Sequence, residues 1–303
     1  MQWYAAAEEW ARAAGGRLYA APATPFDASG TARPEFALGY FAALTATGAD
    51  GLAIAVHTGR GPHLPAAVRT ELIRIARQVC PSVVVGVNSP DEVRLAAAAG
   101  ADAVLVFPAP GDTNAVMRHL DRLWDSGGLP LIGFDLYTAP YSDATFATMV
   151  DHPAVAAVKL ARLSDAIACQ DRIALVRERG KLAITGEDRM FGASLTWGAE
   201  AALVGIGAAA VPLTRAVLDA FAGDNLPAFL DATRRLDEFA AATFRAPFDG
   251  YVQRMTWVAG EQGLLPEDML TDPYAPPLPS DERDRVLDML HRLSIAQLPT
   301  RAS

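Results

Sequence analysis

Eight short runs of strand-type residues recur along this chain, and a stretch of helical composition lies between neighbouring runs. The runs are Leu18–Thr24, Gly51–His57, Val83–Val87, Ala103–Phe107, Leu131–Asp135, Val155–Leu160, Leu182–Thr185 and Ala201–Gly205. Helical composition marks Ala66–Val79, Pro90–Ala99, Ala115–Ser126, Asp165–Arg179 and Arg189–Trp197. Runs such as Val83–Val87 and Ala103–Phe107 are apolar on both faces, as parallel strands covered by helices must be. Three joints repeat one stop signal, Gly48-Ala-Asp-Gly51, Gly100-Ala-Asp-Ala103 and Gly198-Ala-Glu-Ala201. Glycine there can take the left-handed conformation that ends a helix before a strand opens. Eight such units predict an α/β fold, a (β/α)8 TIM barrel rather than an open doubly wound sheet.

The predicted barrel occupies residues 17–222, after an N-terminal helical arm over 1–16. Residues 223–303 form an appended C-terminal helical region packed on the barrel, because Leu226, Phe229, Leu230, Leu236 and Phe239 recur at helical spacing. Helical patterns return at Phe248–Gln262 and Asp281–Leu293. The segment Asp272–Pro279 is too rich in proline for a helix interior, and Ser280 is the expected cap of the last helix.

The chain holds 303 residues, 51% of them apolar, and a formal charge of −9. That acidic balance argues against nucleic acid and anionic membranes as partners. Glu8 and Glu9 stand where a secretory signal wants basic residues, so the expectation is a cytoplasmic, soluble protein. Cys80 and Cys169 have neither metal-type nor redox-type spacing and are expected to be reduced and structural. The five histidines are dispersed, which predicts no metal site. Gly205-Ile-Gly-Ala-Ala-Ala210 fits a dinucleotide fingerprint, but it follows the last strand of a barrel rather than opening an early βαβ unit.

Among twenty-six basic residues only Lys159 and Lys181 are lysines. Lys181, between Gly180 and Leu182, is expected to be solvated. Lys159 lies inside the apolar run Val155–Ala161, where an arginine would stay charged but a desolvated lysine can lose its proton and attack a carbonyl. In such a barrel the chemistry sits at the C-terminal strand ends. The residues there are Pro22–Phe26, His57–Arg60, Phe134–Tyr137, Lys159 with Arg162, and Thr185–Arg189. Arg60, Arg162 and Arg189 among them point to a substrate whose distal part is anionic.

Thr24-Pro-Phe-Asp27 with Gly30, Thr58-Gly59, Lys159, Gly186-Glu-Asp188 and Pro277-Leu-Pro279 occur in an order and spacing that resembles the dihydrodipicolinate synthase and N-acetylneuraminate lyase family of class I aldolases, over about residues 17 to 293. The resemblance implies an enzyme, a lyase or aldolase in which Lys159 condenses with the keto group of pyruvate or another small 2-oxo acid. No cofactor is implied beyond that covalent imine. It also implies that His57 and Thr58 hold the substrate carboxylate, and that the chain forms a homotetramer or homodimer. The substrate-binding set expected around Lys159 is Thr58, Gly59, Arg60, Phe134, Asp135, Glu187, Asp188 and Leu203.

Three departures from the family pattern shape these expectations. Phe134 occupies the place of the family's proton-shuttling tyrosine. His57-Thr58-Gly59-Arg60 replaces a double threonine followed by Gly-Glu, and Pro108-Ala-Pro-Gly111 replaces tyrosines that some members carry after the fourth strand. His57 is therefore expected to carry protons, titrating in the ordinary histidine range, with Tyr137 and Asp135 as rivals. The competing reading from another class is a degenerate barrel that binds a small oxo acid or sugar acid as a sensor.

Overall fold

A computed structural model describes residues 4–295. The strands are β1 (Leu18–Ala20), β2 (Gly51–Ile54), β3 (Val83–Val87), β4 (Ala103–Val106), β5 (Leu131–Leu136), β6 (Val155–Ala161), β7 (Leu182–Thr185) and β8 (Ala201–Val204). They pair in parallel, each with the next, and β8 returns to β1 to close the barrel. The helices are α1 (Ala5–Ala14), α2 (Ala37–Ala46), α3 (Ala66–Val79), α4 (Pro90–Ala99), α5 (Thr113–Gly127) and α6 (Asp143–Val150). They continue as α7 (Ala166–Glu178), α8 (Phe191–Thr196), α9 (Val211–Ala222), α10 (Leu226–Thr243), α11 (Tyr251–Glu261) and α12 (Glu282–Arg292). The predicted (β/α)8 barrel with C-terminal helices is thus the fold observed.

The first strand stops at Ala20, short of the expected Thr24, because Pro22 and Pro25 have no N–H for the ladder. The three repeated joints behave as predicted, with Gly48, Gly100 and Gly198 at φ of 122°, 95° and 107°. The last helix begins at Glu282 with Asp281 at its cap position, and no side-chain cap bond forms there, Ser280 included.

Two apolar layers follow from strand alternation. Inward residues, among them Ile132, Phe134, Leu136, Ala157, Ile184 and Leu203, fill the barrel, and Ala7, Trp10 and Ala14 of α1 close its N-terminal end. Outward residues such as Val85, Val104, Val158 and Leu160 pack beneath the helices. The β5–β6 register sets Phe134 opposite Lys159 and Leu136 opposite Ala161, so these two layers face the lumen while Asp135 and Leu160 face outward.

Lys181 departs from its expected solvation. It is only 2% exposed, and its ammonium donates to Val155 O at 2.7 Å and His152 O at 3.3 Å, bracing the start of β6. Burial pushes its pKa down to about 8. Cys80 and Cys169 are buried free thiols. Among the described residues no helix is long and apolar enough to cross a membrane.

Candidate active site

Lys159 projects from the middle of β6 into a cleft at the C-terminal mouth of the barrel. The cleft is bounded by Phe134, Leu136 and Tyr137 of the β5 end, Ala161 and Leu163 of the β6 end, Gly186 and Asp188 after β7, Gly205 after β8, and His57 and Thr58 after β2. Phe244, Phe248 and Tyr251 close it from the C-terminal region. The lysine is 6% exposed, and its nitrogen lies 4.4 Å from the centre of the Phe134 ring. A Cβ at Gly186 would stand 2.5 Å from Lys159 Cε, so glycine is what lets the side chain lie across the β7 end. Among the described residues no carboxylate comes within ion-pair distance of this ammonium. Burial holds its pKa down to about 8, against weaker opposing pulls from Asp188 and Glu187.

Asp188 is buried too, and its Oδ1 accepts the Ile206 N–H at 2.8 Å. Burial raises its carboxyl well above the ordinary range, offset by that hydrogen bond and by the lysine. Lys159 and Asp188 thus share one desolvated region, each drawn toward its neutral form.

The loop after β2 is held rigidly. Thr24 Oγ1 donates to Gly59 O at 2.7 Å, and the buried Arg69 donates to Gly61 O at 2.7 Å and to Gly86 O at 2.8 Å. Thr58 Oγ1 lies 3.0 Å from the hydroxyl of Tyr251, the first residue of α11. Tyr251 stacks on Phe244 with ring centres 4.6 Å apart, and burial raises the pKa of its phenol. A Cβ at Gly205 would stand 2.8 Å from Tyr251 Cε2 and 3.1 Å from Thr58 Oγ1, so the pair requires glycine there.

At the rim, the Tyr137 hydroxyl donates to Asp249 Oδ1 at 3.0 Å, and His57 Nε2 lies 3.7 Å from the same oxygen. Burial, with Arg60 and Lys159 nearby, pushes the His57 pKa down to about 4 despite Asp249, so the imidazole is neutral at neutral pH. The expected titration in the ordinary histidine range is not what this environment gives.

The structure brings Lys159, His57, Tyr137, Thr58, Phe134 and Asp188 together and puts the other expected site residues elsewhere. Asp135 faces away from the lumen, toward Arg162 at 3.5 Å and Arg172 at 3.9 Å. Glu187 turns back to accept the N–H groups of Arg162 and Leu163, bracing the β6 loop. Gly59 contributes its carbonyl to Thr24, and Leu203 belongs to the packed barrel interior. Arg60 is locked in a buried pair with Asp272, Nη2 to Oδ2 at 2.6 Å. With Arg162 on Asp135 and Arg189 donating to Phe244 O at 3.1 Å, none of the three arginines lines the cleft as an anion site would require. Sequence reasoning missed Tyr251, Phe244, Phe248, Asp249, Leu163 and Gly205. The spacing of Phe244, Phe248 and Tyr251, four and three residues apart, was the one available signal for an aromatic cluster. Among the described residues no three His, Cys, Asp or Glu side chains gather as metal ligands would.

A barrel with a desolvated lysine on its sixth strand is the class of architecture that fold and cleft define. No protein-family profile matches the chain. The structure is similar to dihydrodipicolinate synthase from Bacillus clausii, with a TM-score of 0.82, 16% identity, and coverage of 94% of this chain and 99% of that one. It is similar to a prophage protein of the dihydrodipicolinic acid synthase family from Escherichia coli, solved in complex with pyruvate, with a TM-score of 0.80, 19% identity, and coverage of 92% and 98%. N-acetylneuraminate lyase from Fusobacterium nucleatum superposes with a TM-score of 0.77 at 12% identity, over 91% and 98%. In sequence, 163 residues are 27% identical to 4-hydroxy-tetrahydrodipicolinate synthase of Mycobacterium leprae, 48% of this chain and 54% of that protein. The chain thus spans about half the length of the curated relatives it matches. The fold is that of the dihydrodipicolinate synthase and N-acetylneuraminate lyase structures, in line with the resemblance read from the motifs.

Proposed function

We propose that the chain is a divergent member of that family, a Schiff-base-forming lyase or aldolase acting through Lys159 on pyruvate or another 2-oxo acid. The observation that carries this reading is a buried lysine without an ion-pair partner among the described residues, at the C-terminal mouth of a barrel. With its pKa near 8, an appreciable fraction of the amine is unprotonated at neutral pH. That amine adds to the keto carbon, the carbinolamine loses water, and the protonated imine draws electrons from the adjacent carbon so that a bond there can break or form. The lysine supplies this electron sink itself, so the reaction calls for no further cofactor.

Water leaves the carbinolamine only if its oxygen receives a proton. The hydroxyl pair Thr58–Tyr251 shares the cleft with Lys159 and takes the part for which Phe134 has no group. His57, neutral and adjacent, remains a hydrogen-bonding wall rather than an imidazolium donor. The N–H group of Thr58 donates to no protein acceptor among the described residues, which leaves it for the substrate carboxylate. The sensor reading drew on the missing phenol, and Tyr251 weakens it.

The test is reduction with borohydride in the presence of a panel of 2-oxo acids, read by intact and peptide mass. The expected outcome is a stable adduct on the peptide containing Lys159, absent in Lys159→Arg with unchanged circular dichroism. Turnover without an adduct from any member of the panel rules the mechanism out.

A further inference from the structure

Side chains of two chemistries line the cleft. Thr58, Tyr251 and His57 carry the polar groups that an imine reaction uses. The apolar wall includes Leu136 and Ala161, the layer above Phe134 and Lys159 in the β5–β6 register, together with Leu163 and Phe248. The Tyr137 hydroxyl at the rim is already given to Asp249.

Resting on the Schiff-base reading of Lys159, we propose that the arm of the substrate beyond the imine is uncharged and apolar. The cleft then takes 2-oxo acids whose chain ends in an aliphatic or aromatic group, in preference to polyhydroxy or phosphorylated chains. An anionic arm would meet no arginine, since Arg60, Arg162 and Arg189 are all engaged outside the cleft. It would instead meet Asp249 at the rim and Asp188 within. A polyhydroxy arm would leave hydroxyls against Leu136, Ala161 and Leu163, and each one stripped of water without a partner lowers binding roughly ten- to a hundredfold. An apolar arm loses nothing on that wall and gains its burial.

Room for the arm comes from the rim. The free volume of the cleft is about 20 Å³, close to that of one water, so the arm displaces a side chain rather than filling a ready-made polar pocket. Phe248, 37% exposed and edge-on to Tyr137 at 6.4 Å, is the side chain placed to yield and then cover it.

For a 4-hydroxy-2-oxo acid the chemistry balances without another reactant. The imine forms as the Thr58–Tyr251 pair gives a proton to the departing water, and the 4-hydroxyl then returns a proton to that pair. The bond between the third and fourth carbons breaks, leaving its electron pair on the imine side as an enamine. An apolar aldehyde departs, and protonation and hydrolysis of the enamine return pyruvate and Lys159.

The experiment compares kcat/KM for pyruvate release from 4-hydroxy-2-oxo acids bearing isopropyl or phenyl groups with that from a polyhydroxy sugar acid of equal length and its phosphate ester. The expected preference for the apolar arm is about tenfold or more. Leu163→Asn, a polar residue that tolerates the left-handed backbone at this position (φ 54°), is expected to narrow that ratio. A preference for the polyhydroxy or phosphorylated acid overturns this inference, and adduct formation at Lys159 in the same samples leaves the Schiff-base reading standing. Absence of any adduct from every acid, borohydride included, overturns both.

Discussion

Phe134 stands opposite Lys159 in the β5–β6 register, and the lysine nitrogen lies 4.4 Å from the centre of its ring. The ring face attracts the ammonium, while burial disfavours it. Burial lowers the pKa to about 8. Removing the ring should therefore let the pKa fall further. A cation–π contact of about 0.5–2 kcal/mol corresponds to roughly 0.4–1.5 pKa units. The midpoint of borohydride trapping against pH is expected to move down by that amount in Phe134→Leu. A midpoint that moves up would mean the ring acts on Lys159 only by excluding water.

The Thr58–Tyr251 pair predicts a loss that separates chemistry from packing. Tyr251→Phe keeps the stack on Phe244 and removes only the hydroxyl. Turnover is expected to fall by ~10²–10⁴, while the melting temperature changes little and slow imine formation at Lys159 persists. Gly205→Ala should reproduce the loss, since its Cβ would stand 2.8 Å from Tyr251 Cε2. If Tyr251→Phe turns over normally and His57→Ala does not, the proton carrier is the imidazole.

The barrel was legible in the sequence because its signals are local. Gly48, Gly100 and Gly198 announce helix ends, and unbroken apolar runs announce covered parallel strands. Lys159 was legible because a lone lysine in such a run conflicts with its surroundings. Tyr251 was not, because it meets Thr58 across 193 residues of chain and nothing near either residue encodes that meeting. Strand alternation already turned Asp135 away from Phe134, but the partners that occupy Arg60 and Glu187 are fixed only by tertiary packing. Lys181 misled for a similar reason. Its neighbours in sequence mark an element boundary, whereas its hydrogen-bond partners lie on the preceding strand and its entry.

Arg254 ties the aromatic wall to the C-terminal helices. Fully buried, it donates from Nε to Glu282 Oε1 at 2.7 Å and from Nη1 to the carbonyls of Thr243 at 3.1 Å and Arg245 at 2.9 Å. Those carbonyls flank Phe244, which stacks on Tyr251. Breaking a buried pair by removing one partner costs about 3–5 kcal/mol. Arg254→Met is expected to lose at most that much stability in urea denaturation, since Arg285 Nη2 still meets Glu282 Oε2 at 2.5 Å. The paired change Arg254→Met with Glu282→Leu, which leaves no orphaned charge, should recover much of it. Equal losses in the single and double variants would show that the carbonyl bonds, not the ion pair, hold this segment.

Lys159 itself should oppose folding at neutral pH. Its pKa is 10.5 in an ordinary setting and about 8 here, so between those values the unfolded chain binds a proton that the folded one does not. Stability then rises with pH across that interval. The penalty is fully present below pH 8 and fades as pH climbs toward 10.5. A shift of that size corresponds to at most about 3–4 kcal/mol. Asp188 keeps part of it when the lysine is replaced, because its own buried charge then lacks the nearby cation. Lys159→Met is thus expected to be more stable than the parent by about 1–3 kcal/mol at pH 7, and the gap should narrow at pH 10. Chemical denaturation at the two pH values reads both quantities. A variant less stable than the parent at pH 7 would show that the ammonium is held by the fold as a structural charge. A more stable one would show a group retained against folding for what its free amine can do.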